Sequence, residues 1–230
     1  MNRKITFSLL VVMSIILSAC ATATPSATPS NNDATSVIVP TVSSNTEVST
    51  STPAPSSDSN ASTSSNLACS GGSSSANPAM ELTEGPYYKS GSPELANLYQ
   101  EGMAGTKLVV SGYVYDTNCQ PVANAWLDFW QANGNGVYDN NGYTLRGHQY
   151  TDANGHFELT TVVPGIYPGR TEHIHVKVQA PNGTIITSQL FFPGVSQNDS
   201  DGIYDASLLL SIQETGDGLQ GQFNFVVPVQ

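Results

Sequence analysis

The sequence predicts an all-β fold, an antiparallel β-sandwich, for residues 78–230. Two observations lead to this architecture. Short runs of apolar, β-branched and aromatic residues recur along this part of the chain, and Gly, Asn and Asp residues separate them. Helix signals are sparse, so two sheets must cover each other instead of packing on helices. A segment of about 150 residues is long enough to form one core.

Six runs have the composition of strands, and turn signals such as Asp152-Ala153-Asn154-Gly155 separate them. The predicted strands cover residues 107–116, 124–131, 157–163, 173–179, 184–192 and 222–229. Residues 93–100 and 206–212 are the two helix candidates.

Residues 1–20 have the pattern of an export signal. Arg3 and Lys4 form a positive start, and residues 5–17 form an apolar core too short to span a bilayer comfortably. The segment ends in Leu17-Ser18-Ala19-Cys20, which is similar to the lipobox of bacterial lipoproteins, so we expect Cys20 to be lipidated. The alternatives are a secretory peptide cut after Ala19 and an uncleaved anchor. In each case we expect the protein to be exported and to work outside the cytoplasm, facing the cell exterior or the periplasm. If Cys20 is lipidated, the lipid would hold the protein on a membrane.

Residues 21–77 consist mainly of Ser, Thr, Ala, Asn and Pro. They cannot bury enough apolar surface to offset the entropy of ordering, so we predict a disordered linker. An O-glycosylated stalk fits this composition equally well. The net charge of −11, with 39% hydrophobic and 11% charged residues, suits an acidic exported domain and argues against binding to nucleic acid.

Two cysteines remain if Cys20 carries lipid. Cys69 and Cys119 then form an even pair in an oxidising compartment, which favours a disulfide that ties the end of the linker to the domain. Two free thiols are the alternative.

The candidate functional residues lie in residues 164–175. His173 and His175 are two apart in a predicted strand, so both imidazoles point to one face and can reach one metal ion. Tyr167 precedes that strand on a turn rich in Pro and Gly. Tyr138, in Gly134-Asn135-Gly136-Val137-Tyr138, is the candidate for a further anionic ligand.

Each of these residues has a plainer interpretation when it is taken alone. The two tyrosines could pack against turns, and the two histidines could form a zinc or copper site or lie exposed on an edge strand. The order of the four residues and the sequences that flank them favour a shared site.

Several motifs, in this order and spacing, resemble the intradiol ring-cleavage dioxygenases, the family of the catechol and protocatechuate dioxygenases. The motifs are Glu84-Gly85-Pro86-Tyr87-Tyr88, Gly112-Tyr113-Val114-Tyr115-Asp116, Trp130-Gln131-Ala132-Asn133, Leu145-Arg146-Gly147, residues 164–175 and Gln189-Leu190-Phe191-Phe192. The resemblance covers nearly all of the predicted domain. It implies one mononuclear non-haem Fe(III) per chain, with Tyr138, Tyr167, His173 and His175 as protein ligands. Two tyrosinates are hard anionic donors that favour Fe(III) over Fe(II).

The resemblance also implies the reaction. A catechol-type substrate would bind the iron through both oxygens and displace Tyr167. Dioxygen would then open the ring between the two hydroxylated carbons and give a cis,cis-muconate-type product, a step of aromatic compound catabolism. Arg170 would stabilise the charge that develops on the substrate, and Gln189 would support Arg170. Tyr87 and Tyr88 would line the substrate entrance, although core packing explains them equally well.

The sequence departs from the family pattern in two ways. The segment between Tyr167 and His173 is shorter than in the protocatechuate enzymes, and a linker stands where the catechol enzymes have a helical dimerisation domain. These departures leave the substrate and the assembly open. Only Arg146 and Lys177 are candidates for reading a substrate carboxylate, and we expect Arg146 to form a structural salt bridge instead.

A second interpretation belongs to a different class of protein. Residues 112–125 and 151–157 also resemble the transthyretin-like and carboxypeptidase-regulatory β-sandwich modules, which are non-catalytic. The chain would then be a cell-surface binding module. A third possibility is a relative that binds iron without turnover.

Overall fold

The computed structural model describes residues 67–70 and 76–230. The predicted export signal, Cys20 and most of the predicted linker lie outside the described residues. Within the described part of the chain, no helix is long and apolar enough to cross a membrane.

In the described residues, nine strands form two sheets, which confirms the predicted all-β sandwich. The strands are β1 (Lys107–Tyr115), β2 (Trp126–Trp130), β3 (Arg146–Tyr150), β4 (His156–Val162), β5 (His173–Gln179), β6 (Ile186–Phe191), β7 (Ser211–Thr215), β8 (Gly218–Gln222) and β9 (Phe225–Val226). One sheet has the order β4-β1-β8-β7, with β9 also paired to β1, and the other has the order β3-β2-β5-β6. Most pairs are antiparallel, but β1 pairs in parallel with β8 and β9.

The core lies between the two sheets and follows from the alternation of side chains along each strand. In β1, Leu108, Val110 and Val114 are completely buried. They belong to the same apolar cluster as Leu127 of β2 and Val176 of β5. Burial of these apolar side chains is the main source of stability for the sandwich.

Both predicted helices are wrong. Residues 93–100 are extended and run along the sandwich, where the Leu95 amide donates to the His148 carbonyl and the Leu98 amide donates to the Thr160 carbonyl. Leu98 is also buried in the core, so contacts with the sheets override the local helix propensity. Residues 206–212 contain a 3-10 helix at Ala206–Leu208, and then β7 begins at Ser211.

Strands β3, β7 and β8 were not predicted because few of their residues are apolar. All six strands that were predicted are present, and β5 has the predicted bounds.

The four-stranded sheet places the candidate site on its outer face. In β2, Leu127 and Phe129 belong to the core cluster, so the alternation of side chains turns Asp128 and Trp130 to the opposite face. Trp130 is paired with His175 of β5, and His175 is paired with Gln189 of β6. Therefore residues from three neighbouring strands meet at one end of this face.

Cys69 and Cys119 form a disulfide, with their Cα atoms 5.3 Å apart. Cys119 lies in the turn that follows β1, where its amide donates to the Asp116 carbonyl. The bond therefore joins residues 67–70 to the five-stranded sheet.

Candidate metal centre

Strand β5 begins with the two histidines, whose side chains point away from the core cluster. His173 and His175 are 2% and 1% exposed, and their Nε2 atoms are 3.2 Å apart. Metal–imidazole bonds are about 2.1 Å long, so two nitrogens at this separation can bind the same ion.

The first histidine is held in the form that a metal needs. The Nδ1 atom of His173 lies 2.6 Å from the Thr171 carbonyl oxygen. If Nδ1–H donates to this carbonyl, the lone pair is on Nε2, which faces the site. Burial, with the positive charge of Arg170, lowers the pKa of His173 to about 4. The ring is therefore neutral at neutral pH, as metal binding requires.

The second histidine is held by a ring contact. His175 stacks on Trp130 with ring centroids 4.7 Å apart and an interplanar angle of 7°. Its Nδ1 atom has no hydrogen-bond partner among the described residues. Burial, followed by the effect of His173, lowers the pKa of His175 well below its usual value.

The two tyrosines approach the histidines from two turns. The Tyr167 hydroxyl lies 3.2 Å from Nε2 of His173. The rings of Tyr138 and Tyr167 meet edge to face, with centroids 5.8 Å apart. Tyr138 is buried, and its hydroxyl has no hydrogen-bond partner in the part of the chain that the structure describes. Burial raises the pKa of both phenols, and the neighbouring Tyr167 raises that of Tyr138 further.

Glycines let the two tyrosine turns pack backbone against backbone. The Gly165 amide donates to the Asn133 carbonyl at 2.8 Å. A Cβ atom on Gly165 would lie 2.4 Å from the Gly134 carbonyl oxygen, and one on Gly136 would lie 2.3 Å from the Ile166 carbonyl oxygen. Any side chain at these positions would push the two turns apart. The glycines therefore fix the distance between Tyr138 and Tyr167.

These four side chains fit ferric iron. They offer two neutral imidazoles and two phenols, and one of the phenols is buried without a partner. Among the described residues, no three His, Cys, Asp or Glu side chains converge in a group that could hold a metal. A metal here therefore needs the tyrosines, and hard phenolate oxygens favour Fe(III). A bound cation would also reverse the effect of burial on the pKa of the phenols.

Arg170 borders this group and is fixed from two sides. Its Nε donates to Oδ2 of Asp201 at 2.9 Å, and its guanidinium also donates to Oε1 of Gln189. The Gln189 amide nitrogen donates in turn to the Thr83 carbonyl at 3.1 Å. The guanidinium therefore has a fixed position beside the two histidines.

Two residues near Arg170 were missed by the sequence analysis. Asp201 Oδ2 also accepts from the Thr171 amide at 2.9 Å, and Asn198 Oδ1 accepts from the Thr171 hydroxyl at 2.6 Å. Both residues therefore support the carbonyl that sets the tautomer of His173. They lie in or next to the 3-10 helix Ser196–Ser200, where no sequence motif marks them.

Burial alone would raise the pKa of Asp201. Hydrogen bonds from the amides of Thr171 and Ile203, and then from Arg170, outweigh burial and hold this pKa below its usual range. The carboxylate is therefore charged over the whole neutral range.

The remaining predicted residues are placed as follows. Tyr87 stacks on Tyr138, with ring centroids 4.2 Å apart, and meets Tyr167 edge to face. Tyr88 lies behind Trp130, and its hydroxyl donates to Asp128 at 3.2 Å. Burial, with the charge of Asp128, raises the pKa of Tyr88 to about 12.

The predicted salt bridge of Arg146 is wrong. Its guanidinium donates to the carbonyls of Tyr87 and Asp139 instead, so it ties together the segments that carry Tyr87 and Tyr138. No carboxylate is needed for this role.

The chain is similar in sequence and in structure to dioxygenases. Residues 83–226 match the Dioxygenase family model. The chain is similar in structure to the dioxygenase domain of a dioxygenase–carbohydrate-binding protein fusion from Streptomyces sp. SirexAA-E, with 47% identity and a TM-score of 0.66. That match covers 67% of this chain and all of the other.

Curated relatives that are also dioxygenases match the chain at lower sequence identity. Hydroxyquinol 1,2-dioxygenase from Rhizobium sp. is 29% identical over 60% of this chain and 56% of its own length. The protocatechuate 3,4-dioxygenase beta chain from Burkholderia cepacia is 33% identical over 39% of this chain and 46% of its own length. The chain spans about half the length of the curated relatives it matches.

The close approach of the two tyrosine turns gives a first prediction. Gly165→Ala should raise the Kd for Fe(III) at least tenfold, and the overpacking should lower the free energy of unfolding by about 1–3 kcal/mol. Metal titration and chemical denaturation measure the two effects. Gly216→Ala is the control, because a Cβ atom there meets nothing within 4 Å. Equal iron affinity in both variants would show that the spacing of the turns does not matter.

Asp201 gives a prediction about pH. Its pKa is lower in the folded state than the unfolded value of about 3.9, so it stabilises the fold above about pH 4. This contribution disappears as the pH falls through the folded-state pKa. Asp201→Asn should therefore lower the free energy of unfolding by about 1.5–3 kcal/mol at pH 7, and the difference from wild type should shrink below pH 4. Chemical denaturation at several pH values measures this, with Asp217→Asn as the exposed control. A difference that does not change with pH would contradict the assignment.

Proposed function

Because this chain belongs to the intradiol ring-cleavage dioxygenase family, we propose that it uses one ferric ion to open a catechol ring between the two hydroxylated carbons. The product would be a cis,cis-muconate-type dicarboxylate that contains both atoms of O2. The observation that carries the proposal is the convergence of Tyr138, Tyr167, His173 and His175 on one point of the outer sheet face.

The four side chains have different roles in holding the metal. Tyr138 and the two histidines are buried, so they would hold the iron throughout the reaction. Tyr167 is less buried and lies on the turn between Pro164 and Arg170. It is therefore the ligand that can leave, and its phenolate oxygen would take a proton from a catechol hydroxyl as the substrate binds. When bound, ferric iron supplies a Lewis acid that binds the catechol oxygens and makes the ring reactive toward dioxygen.

Arg170 acts on the substrate in this proposal. Its guanidinium is always charged, and Asp201 and Gln189 hold it in place before any substrate arrives. A fixed positive charge stabilises the negative charge that develops on the substrate without reorganising during the reaction. Gln189 is a positioning residue for Arg170.

Tyr87 is the further candidate for substrate contact, because it packs against both metal-binding tyrosines. Tyr88 also carries this prediction from the sequence, but its hydroxyl is engaged by Asp128 on the far side of Trp130. We therefore assign the substrate contact to Tyr87 and a packing role to Tyr88.

We also propose that the chain is exported and that Cys20 carries a lipid that anchors it to a membrane. The support is the sequence of residues 1–20 alone. Cys20→Ser should move the protein from the membrane fraction to the soluble fraction of its native host, as measured by immunoblotting. A membrane fraction that does not change would contradict lipidation at Cys20.

Turnover of catechol tests the proposed activity. The iron-loaded protein should consume one O2 per catechol, and mass spectrometry after reaction with 18O2 should find two labelled oxygens in a ring-opened product. Arg170→Ala should retain iron with less than a threefold change in Kd, and kcat should fall about 10²–10³-fold because a preorganised charge is lost.

Lys107→Ala is the matched control, since it removes one positive charge from the other sheet. It should keep the wild-type kcat. A wild-type rate in Arg170→Ala would remove this arginine from the mechanism, and a labelled product without ring opening would contradict the proposed reaction.

A further inference from the structure

The chain contains only seven basic residues in 230. Arg3 and Lys4 lie in the predicted export signal. The other five are Lys89, Lys107, Arg146, Arg170 and Lys177, and the structure describes all of them.

Each of the three lysines contacts other groups or lies in the other sheet. Lys89 donates to the carbonyls of Asn141 and Gly142, at 2.8 and 3.2 Å. Lys177 forms an ion pair with Glu84 and lies over the Tyr88 ring, 4.3 Å from its centroid. Lys107 lies on β1 in the other sheet. Lys177 shares the outer face of β5 with His175, but its ammonium group is paired with Glu84, so none of the three lysines offers an unpaired charge to a group bound at the iron.

Arg146 is close to the centre but is enclosed. Its side chain is only 2% exposed, and its donors are directed at the carbonyls of Tyr87 and Asp139. The guanidinium carbon lies 5.8 Å from the centroid of the Tyr138 ring. The hydrogen bonds that Arg146 donates therefore join the segments that carry Tyr87 and Tyr138.

Arg170 is the cation nearest to the proposed substrate, and its charge is already paired. Asp201, whose side chain is 1% exposed, accepts from its Nε. A cavity of about 370 Å³ opens beside Arg170 and Tyr167, and its other lining residues, such as Gln197 and Ser200, are uncharged apart from Asp201 itself. A negatively charged substituent in this cavity would meet the Arg170–Asp201 ion pair and no unpaired cation among the lining residues.

On the basis of the proposed function, we infer that the site selects uncharged catechols and discriminates against catechols that carry a carboxylate on the ring. An ionised carboxylate that leaves water for a partly buried site needs a cationic partner, and no unpaired Lys or Arg among the described residues faces this site. The net charge of −11 adds a long-range repulsion of anions. Desolvation of a carboxylate without a cationic partner corresponds to a preference of about 30-fold or more.

Two substrates measure the preference. For the iron-loaded full chain, kcat/KM for catechol should exceed that for protocatechuate by about 30-fold or more. Anaerobic titration followed by visible absorption should give a similar ratio of the two dissociation constants, independently of turnover. Both ratios should fall as the salt concentration rises from about 20 to about 500 mM. Over this range the Debye length shortens from about 20 to about 4 Å, so salt screens the long-range repulsion.

A lysine introduced into the cavity lining tests whether the lack of an unpaired cation causes the preference. Gln197→Lys should improve protocatechuate relative to catechol by about tenfold. Gln213→Lys is the matched control, because it adds the same charge at an exposed position of β7 in the other sheet. The ratio in this control should stay at the wild-type value.

The outcomes separate the inference from the proposed function. Comparable constants for the two substrates, or a preference for protocatechuate, would overturn the inference and leave the dioxygenase proposal standing. An equal change of ratio in both lysine variants would overturn the role of the cavity. An iron-loaded protein that responds to neither substrate would contradict the proposed function, and the inference would fail with it.

Discussion

The candidate metal centre depends on two neutral imidazole rings that are buried face to edge with their Nε2 atoms 3.2 Å apart. Two nitrogen lone pairs at this distance repel each other unless a proton or a cation lies between them. A positive charge on either ring is costly, because burial lowers the pKa of both histidines. A shared proton would satisfy the histidines but would leave the hydroxyl of Tyr138 unpaired. A cation satisfies all four donor atoms at once.

The surrounding elements can be understood as support for this arrangement. The alternation in β5 turns both histidines to the outer sheet face, and Trp130 holds the plane of His175. The glycine contacts hold the two tyrosine turns together. On the opposite side, Asp201 and Asn198 hold Thr171, whose carbonyl accepts from His173. Each support arrives on a different segment of the chain, so the centre exists only in the folded sandwich.

The sequence allowed the fold class and six of the strands to be predicted because short-range patterns carry that information. The bounds of β5 follow from its own alternation, and His173 and His175 share a face for the same reason. Asp201 could not be predicted, because it reaches Arg170 from 31 residues away in a segment without a motif. The failed helix at residues 93–100 and the missed strand β3 have a related cause. Residues 93–100 pair with β3 and β4, and β3 pairs with β2, so their conformation is set by pairings that no local pattern records.

The visible absorption spectrum of the iron-loaded protein is the most direct test of the central claim that two phenols and two imidazoles bind one ferric ion. One equivalent of Fe(III) should produce a broad tyrosinate-to-iron charge-transfer band. Tyr138→Phe and Tyr167→Phe should each weaken this band and shift it, because each removes one of the two tyrosinates. A colourless protein, or a band that is unchanged in both variants, would contradict the proposed centre.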